Sequence, residues 1–373
     1  MIYLDNAATT FPKPPSVIRA VWQYMIKSGA SYGRGGYKSA LGSAELLWQA
    51  RETVAQLIGS DNPQHLVFTK NATEALNLAI KGVLKKGCRV ICSCVEHNSV
   101  MRPLTQLDAK ITFLPLQADG CVNVGVLKNI NPADYDMVII NHASNVSGII
   151  NDAAYVAEWC KKGGVPCLID ASQSAGVLPL CADKWQAMIA FAGHKGPMGP
   201  QGTGGLFIPE NINPQPLMTG GTGSASENMT QPEELPDKYE SGTLNMPAIA
   251  GLYEGAKFIL NEGISAVHEK EGYLRGVLAD GLMNIRGVNV LYPENKCATS
   301  ALSFYVDDRD VTTLGGALDE KYGIAVRCGL HCAPMAHKSF GSFECGTMRV
   351  SPGYFNTKKD IDKFLYAIKK CTE

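Results

Sequence analysis

Seven short apolar runs punctuate the first part of the chain: HLVFT (65–69), RVICS (89–93), ITFLP (111–115), DMVII (136–140), VPCLID (165–170), MIAFA (188–192) and GGLFI (204–208). Between several of them lie stretches whose apolar positions follow helical spacing, such as TEALNLAIKGVL and DAAYVAEWCKKG. Strands alternating with helices predict a mostly parallel seven-stranded sheet with helices on both faces, because parallel neighbours need a long crossover. The connection KGPMGPQGT has no helical pattern, which makes GGLFI the candidate for one antiparallel strand in that sheet.

From about Asn245 the pattern changes. Helix-like PAIAGLYEGAKFIL and SAVHEKEGYLRGVLADGLMNI are followed by strand-like ALSFYV, helix-like TTLGGALDEKY, strand-like IAVRC, a glycine-rich segment, strand-like TMRVSP and a closing helix, KKDIDKFLYAIKKC. The expected division is a large α/β domain over residues 1–245 and a smaller α+β domain over 246–373. The segment 220–240 is polar enough to be a mobile loop.

Composition narrows the function classes. With 45% hydrophobic residues, 18% charged residues and a formal net charge of −1, the chain reads as an ordinary globular protein. It has no basic excess to suggest a nucleic-acid or anionic-membrane partner. MIYLDNAATTFPKPP carries no cationic region followed by an apolar stretch, and no membrane-length apolar run occurs, so a cytoplasmic location is expected. Twelve cysteines in such a chain are expected to be reduced thiols, most of them small core residues. Cys88, Cys92 and Cys94, and the pair Cys328 and Cys332, lack the paired CxxC spacing of a zinc site, so no metal is expected.

Ligands of open α/β sheets sit beyond the carboxyl ends of the strands, where this sequence places its polar residues. Thr73 stands in the first turn of a helix after the first run, Glu96 and His97 follow the second, and His142 to Asn145 the fourth. Asp170 and Gln173 follow the fifth run, and His194 and Lys195 the sixth. Each has a plainer reading: Thr73 as a cap partner, His97 as a core histidine, Asn145 as a turn residue, Asp170 as an N-cap and Lys195 as a loop lysine. Five coinciding at one sheet edge favour a site. Together they supply what pyridoxal 5'-phosphate requires: an imine-forming lysine, a carboxylate for the pyridine nitrogen, an anion site for the phosphate and groups beside the ring. Nucleotide motifs fit worse, since there is no GxxxxGK[ST] and no GxGxxG opening a helix.

With D-x-x-Q at 170–173 and H-K at 194–195, the chain resembles the class-V aminotransferase superfamily of fold-type I pyridoxal-phosphate enzymes. Within it the likeness is to cysteine desulfurases of the short-loop group that includes selenocysteine lyases. It runs nearly end to end, through YLDNAATT, TKNATEALN, VEHNS, SNVSG, LIDASQS, GHKG, ESGT, RCGLHCAP and TMRVSPGYFN. The resemblance implies that Lys195 is the Schiff-base lysine and Asp170 the partner of the pyridinium. It places His97 on the ring, Gln173 and Asn145 near its phenolic oxygen, and Thr73 and His194 on the phosphate. Thr243 of ESGT would reach the phosphate across a homodimer interface, Arg349 would bind the substrate carboxylate, and Cys332 would accept sulfur. The implied reaction takes L-cysteine to L-alanine through a persulfide on Cys332, with a sulfur-acceptor protein as a further partner. The alternatives are L-selenocysteine cleavage or another reaction of the superfamily, and, from another class, a catalytically silent binding protein.

Two positions depart from the family pattern: Ala192 stands where a serine often contributes to the phosphate site, and Leu330 replaces one of two histidines before the cysteine. Cys328, Cys332 and Cys345 lie in one glycine-rich region. Cys328 ends a strand-like run and is expected inside, where an apolar setting raises a thiol's pKa. Cys345 is expected to be mobile, and Cys332 to sit on a loop able to swing, with the His331 imidazole near enough to favour its thiolate.

Overall fold

The structure, a computed structural model, describes residues 1–372 apart from Arg34, Ala225 and Ser226. Seven strands form one sheet in the spatial order Leu66–Thr69, Gly204–Phe207, Met188–Ala192, Cys167–Asp170, Met137–Asn141, Arg89–Ser93, Lys110–Leu114. Gly204–Phe207 is antiparallel to both neighbours and the remaining pairs are parallel, as the missing helix before it predicts. Alternation along the central strands sends Ile91, Val138, Ile140 and Ile169 into one apolar cluster. Val90, Cys92, Met137, Ile139 and Leu168 enter the other, on the opposite face. Both faces are therefore covered, which is why the strands read as continuous apolar runs.

Crossover helices start where the sequence supplies caps. Asn71 accepts the Glu74 N–H at 2.9 Å to open Ala72–Val83, and Asp152 accepts that of Tyr155 at 2.9 Å to open Ala153–Gly163. Gly204 lies so close to Asn71 that an added Cβ would come within 2.6 Å of its carbonyl carbon. Only glycine lets the helix N-terminus sit this low on the sheet edge.

Beyond the helix Met246–Glu262, strands Arg327–Gly329, Thr347–Val350, Leu302–Val306 and Val288–Val290 form an antiparallel sheet. Helices Ile264–Met283, Val311–Tyr322 and Lys358–Thr372 pack with it around Leu278, Phe304, Leu318 and Phe364. Several features depart from the pattern of apolar positions. IAVRC is two strands: Ile324–Ala325 pairs in parallel with Ile2–Tyr3, and Arg327–Gly329 joins the four-stranded antiparallel sheet. Leu4 belongs to this second core. Two helices in regions given no element, Pro15–Gln23 and Lys38–Leu57, pack against Met246–Glu262.

The end of the polar segment 220–240 is anchored; Ala225 and Ser226 within it lie outside the described residues. Glu240 forms a buried bidentate pair with Arg51, both contacts at 2.7 Å, and accepts the Phe68 N–H at 2.6 Å. A charge pair this deep holds only when its remaining lone pairs are satisfied, as they are here. Among the described residues no helix is long and apolar enough to cross a membrane, and no cluster of His, Cys, Asp or Glu has the makings of a metal site.

Candidate functional site

The strands' carboxyl ends open into a cleft of about 190 Å³. Its lining brings together Thr73, His97, Asn145, Asp170, Gln173, Ala192, His194 and Lys195. Asp170 ends its strand almost fully buried, and its Oδ1 accepts both the N–H and the hydroxyl of Ser172. Burial pushes the Lys195 ammonium down to about 8, against the pull of Asp170 and with help from Arg349 and Arg327. Nearby Glu96 is fully buried and driven up to about 8, first by burial and then by Asp170, so it is largely neutral at pH 7.

His97 caps the helix Asn98–Gln106, its Nδ1 accepting the Ser99 N–H at 3.0 Å. Burial lowers its pKa to about 4. The ring is thus neutral, with its proton assigned to Nε2 by the Nδ1 contact. His194 is also pushed down to about 4, by burial and then by the charges of Lys195 and Lys13. Gln173 Nε2 donates to the Ala7 carbonyl at 2.9 Å.

One contributor escaped the sequence reading. The Ser99 hydroxyl lies 2.8 Å from Thr73 Oγ1 and 3.0 Å from His97 Nδ1, lining the cleft beside the helix N-terminus at Ala72. Its only signal was its place two residues after His97. It gives the cleft a hydroxyl beside Thr73.

The cleft's polar atoms fit a ligand such as pyridoxal phosphate. Among the described residues, Asn141 Oδ1, Asn145 Oδ1 and His194 Nδ1 are buried without partners. Each such atom costs about 1–3 kcal/mol unless something bonds to it. Three in one cleft, beside a helix N-terminus and a buried carboxylate, call for a ligand with anionic and hydrogen-bonding groups.

Arg349 and Cys332 stand beside this cleft. Arg349 is buried: Nη2 donates to Asp5 Oδ1 at 2.6 Å and Nη1 to the Asn145 carbonyl at 2.8 Å. Its Nε has no partner among the described residues. Cys332 is exposed, in a turn docked on cleft residues: Asn145 Nδ2 donates to the His331 carbonyl at 2.7 Å, and the Asn98 N–H to the Cys332 carbonyl at 2.8 Å. His331 and Cys332 have φ of 49° and 57°. Two successive non-glycine residues in this region cost about 1–2 kcal/mol each, a strain that the docking contacts hold in place.

The expected imidazole beside the thiol is a correction. The His331 ring is buried, its Nε2 lies 2.9 Å from Thr347 Oγ1, and it packs on His337 at 5.4 Å. Burial, reinforced by Arg349, pushes its pKa to about 2, so it carries no charge to share. Arg327 Nη2 takes that place, donating to Cys332 Sγ at 3.3 Å. Burial raises the Cys328 thiol to about 11, whereas Cys345 is exposed with its Sγ 3.8 Å from the Ser342 carbonyl. Thr243 is exposed and away from this cleft, in a surface pocket with Lys70 and Glu74.

A family model described as aminotransferase class-V matches residues 2–364. A probable cysteine desulfurase of Methanothermobacter thermautotrophicus is 33% identical over 370 residues, covering 96% of this chain and 92% of that protein. The apo structure of a cysteine desulfurase from Thermococcus onnurineus NA1 superposes with a TM-score of 0.92 at 29% identity, covering 100% of this chain and 94% of the other. The S-sulfonic acid form of the cysteine desulfurase CsdA from Escherichia coli superposes with a TM-score of 0.87 at 27% identity, over 99% of this chain and 94% of the other.

Proposed function

The chain belongs to the aminotransferase class-V family, and from that premise we propose that it is a pyridoxal-phosphate-dependent cysteine desulfurase, converting L-cysteine to L-alanine and loading the sulfur onto Cys332. The observation that carries this reading is the contact of Arg327 Nη2 with Cys332 Sγ, beside the cleft of Lys195 and Asp170. Transamination has no use for a thiol there.

Pyridoxal phosphate, when bound, supplies an electron sink joined to the substrate's amine. Lys195 would carry it, and Asp170 would keep its ring nitrogen protonated. Neutral Glu96 leaves Asp170 without a second buried anion to compete for that proton. His97 would lie against the ring, with Gln173 and Asn145 on its phenolic oxygen. Thr73, Ser99, His194 and the helix N-terminus would hold the phosphate, joined in a homodimer by Thr243 of a second copy.

Arg349 would anchor the substrate carboxylate through its unpartnered Nε edge, a planar fork suited to two oxygens. The Lys195 amine would take the proton from the substrate Cα and return one to the product. Cys332, beside Arg327, would attack the substrate sulfur and give up its thiol proton: the Cβ–S bond breaks, the S–S bond forms, and Cβ takes up a proton to end as a methyl group. Carbon is reduced as sulfur is oxidised, so no outside electron carrier is needed. The exposed Cys332 leaves its persulfide open to an acceptor protein.

The test is to incubate the holoenzyme separately with L-cysteine, L-selenocysteine and L-alanine, measuring sulfide or selenide, alanine and keto acid. Alanine and enzyme-bound persulfide from cysteine are expected, without pyruvate. Turnover of selenocysteine alone would make the protein a selenocysteine lyase, and keto acid from alanine would make it a transaminase.

The same assignments predict the effect of restoring the missing hydroxyl. Ala192→Ser is expected to slow loss of pyridoxal phosphate in dialysis about tenfold, the low end of a charge-assisted hydrogen bond. Absorbance of the retained cofactor reads this out. An unchanged rate would mean that Ser99 and Thr73 already saturate the phosphate, and faster loss would place Ala192 elsewhere than at the phosphate.

A further inference from the structure

Residues 2–13 touch both halves of this machinery. At one end Ile2 and Tyr3 pair with Ile324 and Ala325, and Asp5 forms a parallel bridge with Ser351. The Asn6 amide donates to the Ser351 carbonyl at 3.0 Å, and the Asp5 carboxylate receives Arg349 Nη2. At the other end the chain turns onto the large sheet. The His194 carbonyl, whose peptide leads into Lys195, faces the Thr10 N–H at 3.2 Å and the hydroxyls of Thr9 at 3.1 Å and Thr10 at 3.2 Å. Lys13 Nζ makes the shortest contact to this oxygen, 2.8 Å, and also donates to Thr10 Oγ1 at 2.6 Å. The Thr10 hydroxyl lies 3.1 Å from the Lys195 carbonyl.

Lys13 is an unusual anchor. Among the described residues no carboxylate lies within ion-pair distance of its Nζ, although burial pushes its pKa down to about 8. A half-buried ammonium without a counter-ion gives up hydration for little return at the surface; here it bridges the His194 carbonyl and the Thr10 hydroxyl that bonds the same peptide. At the far end, Asp5 and the Asn145 carbonyl hold two corners of the Arg349 guanidinium and leave Nε without a partner.

The substrate explains why both ends matter. In an α-amino acid the amine and the carboxylate hang from one carbon, so the groups that receive them must keep one spacing, and a misplacement of about 1 Å can cost about 10²-fold. Lys195 stands on a loop of the large sheet and Arg349 on a strand of the small one. We propose that residues 5–13 form a strap that sets this spacing, with Asp5 orienting Arg349 and Lys13 orienting the His194–Lys195 peptide. Both are positioning residues, and the inference rests on the roles given above to Lys195 and Arg349.

The experiment compares Asp5→Asn, Lys13→Met and Lys13→Arg in the holoenzyme by KM and kcat for L-cysteine, by the rate of pyridoxal phosphate loss in dialysis, and by Tm. Asp5→Asn keeps the side-chain shape and is expected to raise KM about tenfold while cofactor loss stays near wild type. Lys13→Met is expected to speed cofactor loss about tenfold and lower kcat with little change in KM, and Lys13→Arg to recover most of both. Equal shifts of all readouts alongside a fall in Tm in Asp5→Asn and Lys13→Met, or no shift in either of these two, would overturn the strap. Cofactor loss needs no turnover, so a wild-type protein that released no sulfur would sink the desulfurase reading while leaving the Lys13 half of the test standing.

Discussion

Lys195→Ala is expected to yield a folded protein without the near-visible absorbance of bound cofactor and with turnover reduced by at least about 10⁴-fold. That is the upper range for losing a general acid–base, and here the same amine is also asked to hold the cofactor. The pH dependence follows from burial. An ordinary lysine, near 10.5, would be almost entirely protonated at pH 7, whereas Lys195 is brought down to about 8. Below pH 8 it is mostly ammonium and cannot attack an aldehyde. Capture of pyridoxal phosphate by the apoenzyme should therefore rise about tenfold per unit toward pH 8 and level off above it. The linked stability has the same sign: between pH 8 and 10.5 the unfolded chain binds this proton and the folded chain does not, so Lys195's burial penalty is relieved as pH rises. Stopped-flow absorbance measures the capture. A rate still climbing steeply at pH 9.5, or full turnover in the alanine variant, would remove Lys195 from the site.

Cys332→Ala is expected to abolish cysteine-derived persulfide and to cut alanine release by at least about 10³-fold, because the nucleophile that accepts sulfur is gone while the cleft is intact. Exposure does not single out this thiol, since Cys345 is exposed as well. The Arg327 contact does: its Nη2 donates to Cys332 Sγ at 3.3 Å in the turn docked on the cleft, whereas Cys345 Sγ lies 3.8 Å from the Ser342 carbonyl. Cys328, raised to about 11, is about 10⁻⁴ ionised at pH 7 and is not expected to compete. Mass spectrometry of the three alanine variants after one turnover separates them. Persulfide kept in Cys332→Ala and lost in Cys345→Ala would move the acceptor to Cys345.

Much of the large sheet was legible along the chain because each strand carries its own signal. Apolar residues in Arg89–Ser93, Met137–Asn141 and Cys167–Asp170 fill both faces, and the stretches between them repeat at helical spacing. Parallel connectivity then puts the residues after each strand at one edge, which is how Thr73, His97, Asn145, Asp170 and Lys195 reach one cleft. The short strand Val288–Val290, half-buried throughout, and the division of IAVRC carry no such repeat. The local pattern cannot register that Ile2–Tyr3 takes the edge of Ile324–Ala325.

By itself the sequence determined the α/β class, the antiparallel strand Gly204–Phe207 and the polar edge, since all of these follow from periodicity and from residue types adjacent to strand ends. The tertiary structure alone decided which groups meet across long separations. Asp5 meets Arg349, Lys13 meets the His194 carbonyl, and Ser99 meets Thr73. It also turned His331 inward onto Thr347 and His337, leaving Arg327 at the thiol. Adjacent in sequence, His331 and Cys332 separate because burial suits the neutral ring, which packs on Thr347 and His337, while the thiol stays exposed beside Arg327.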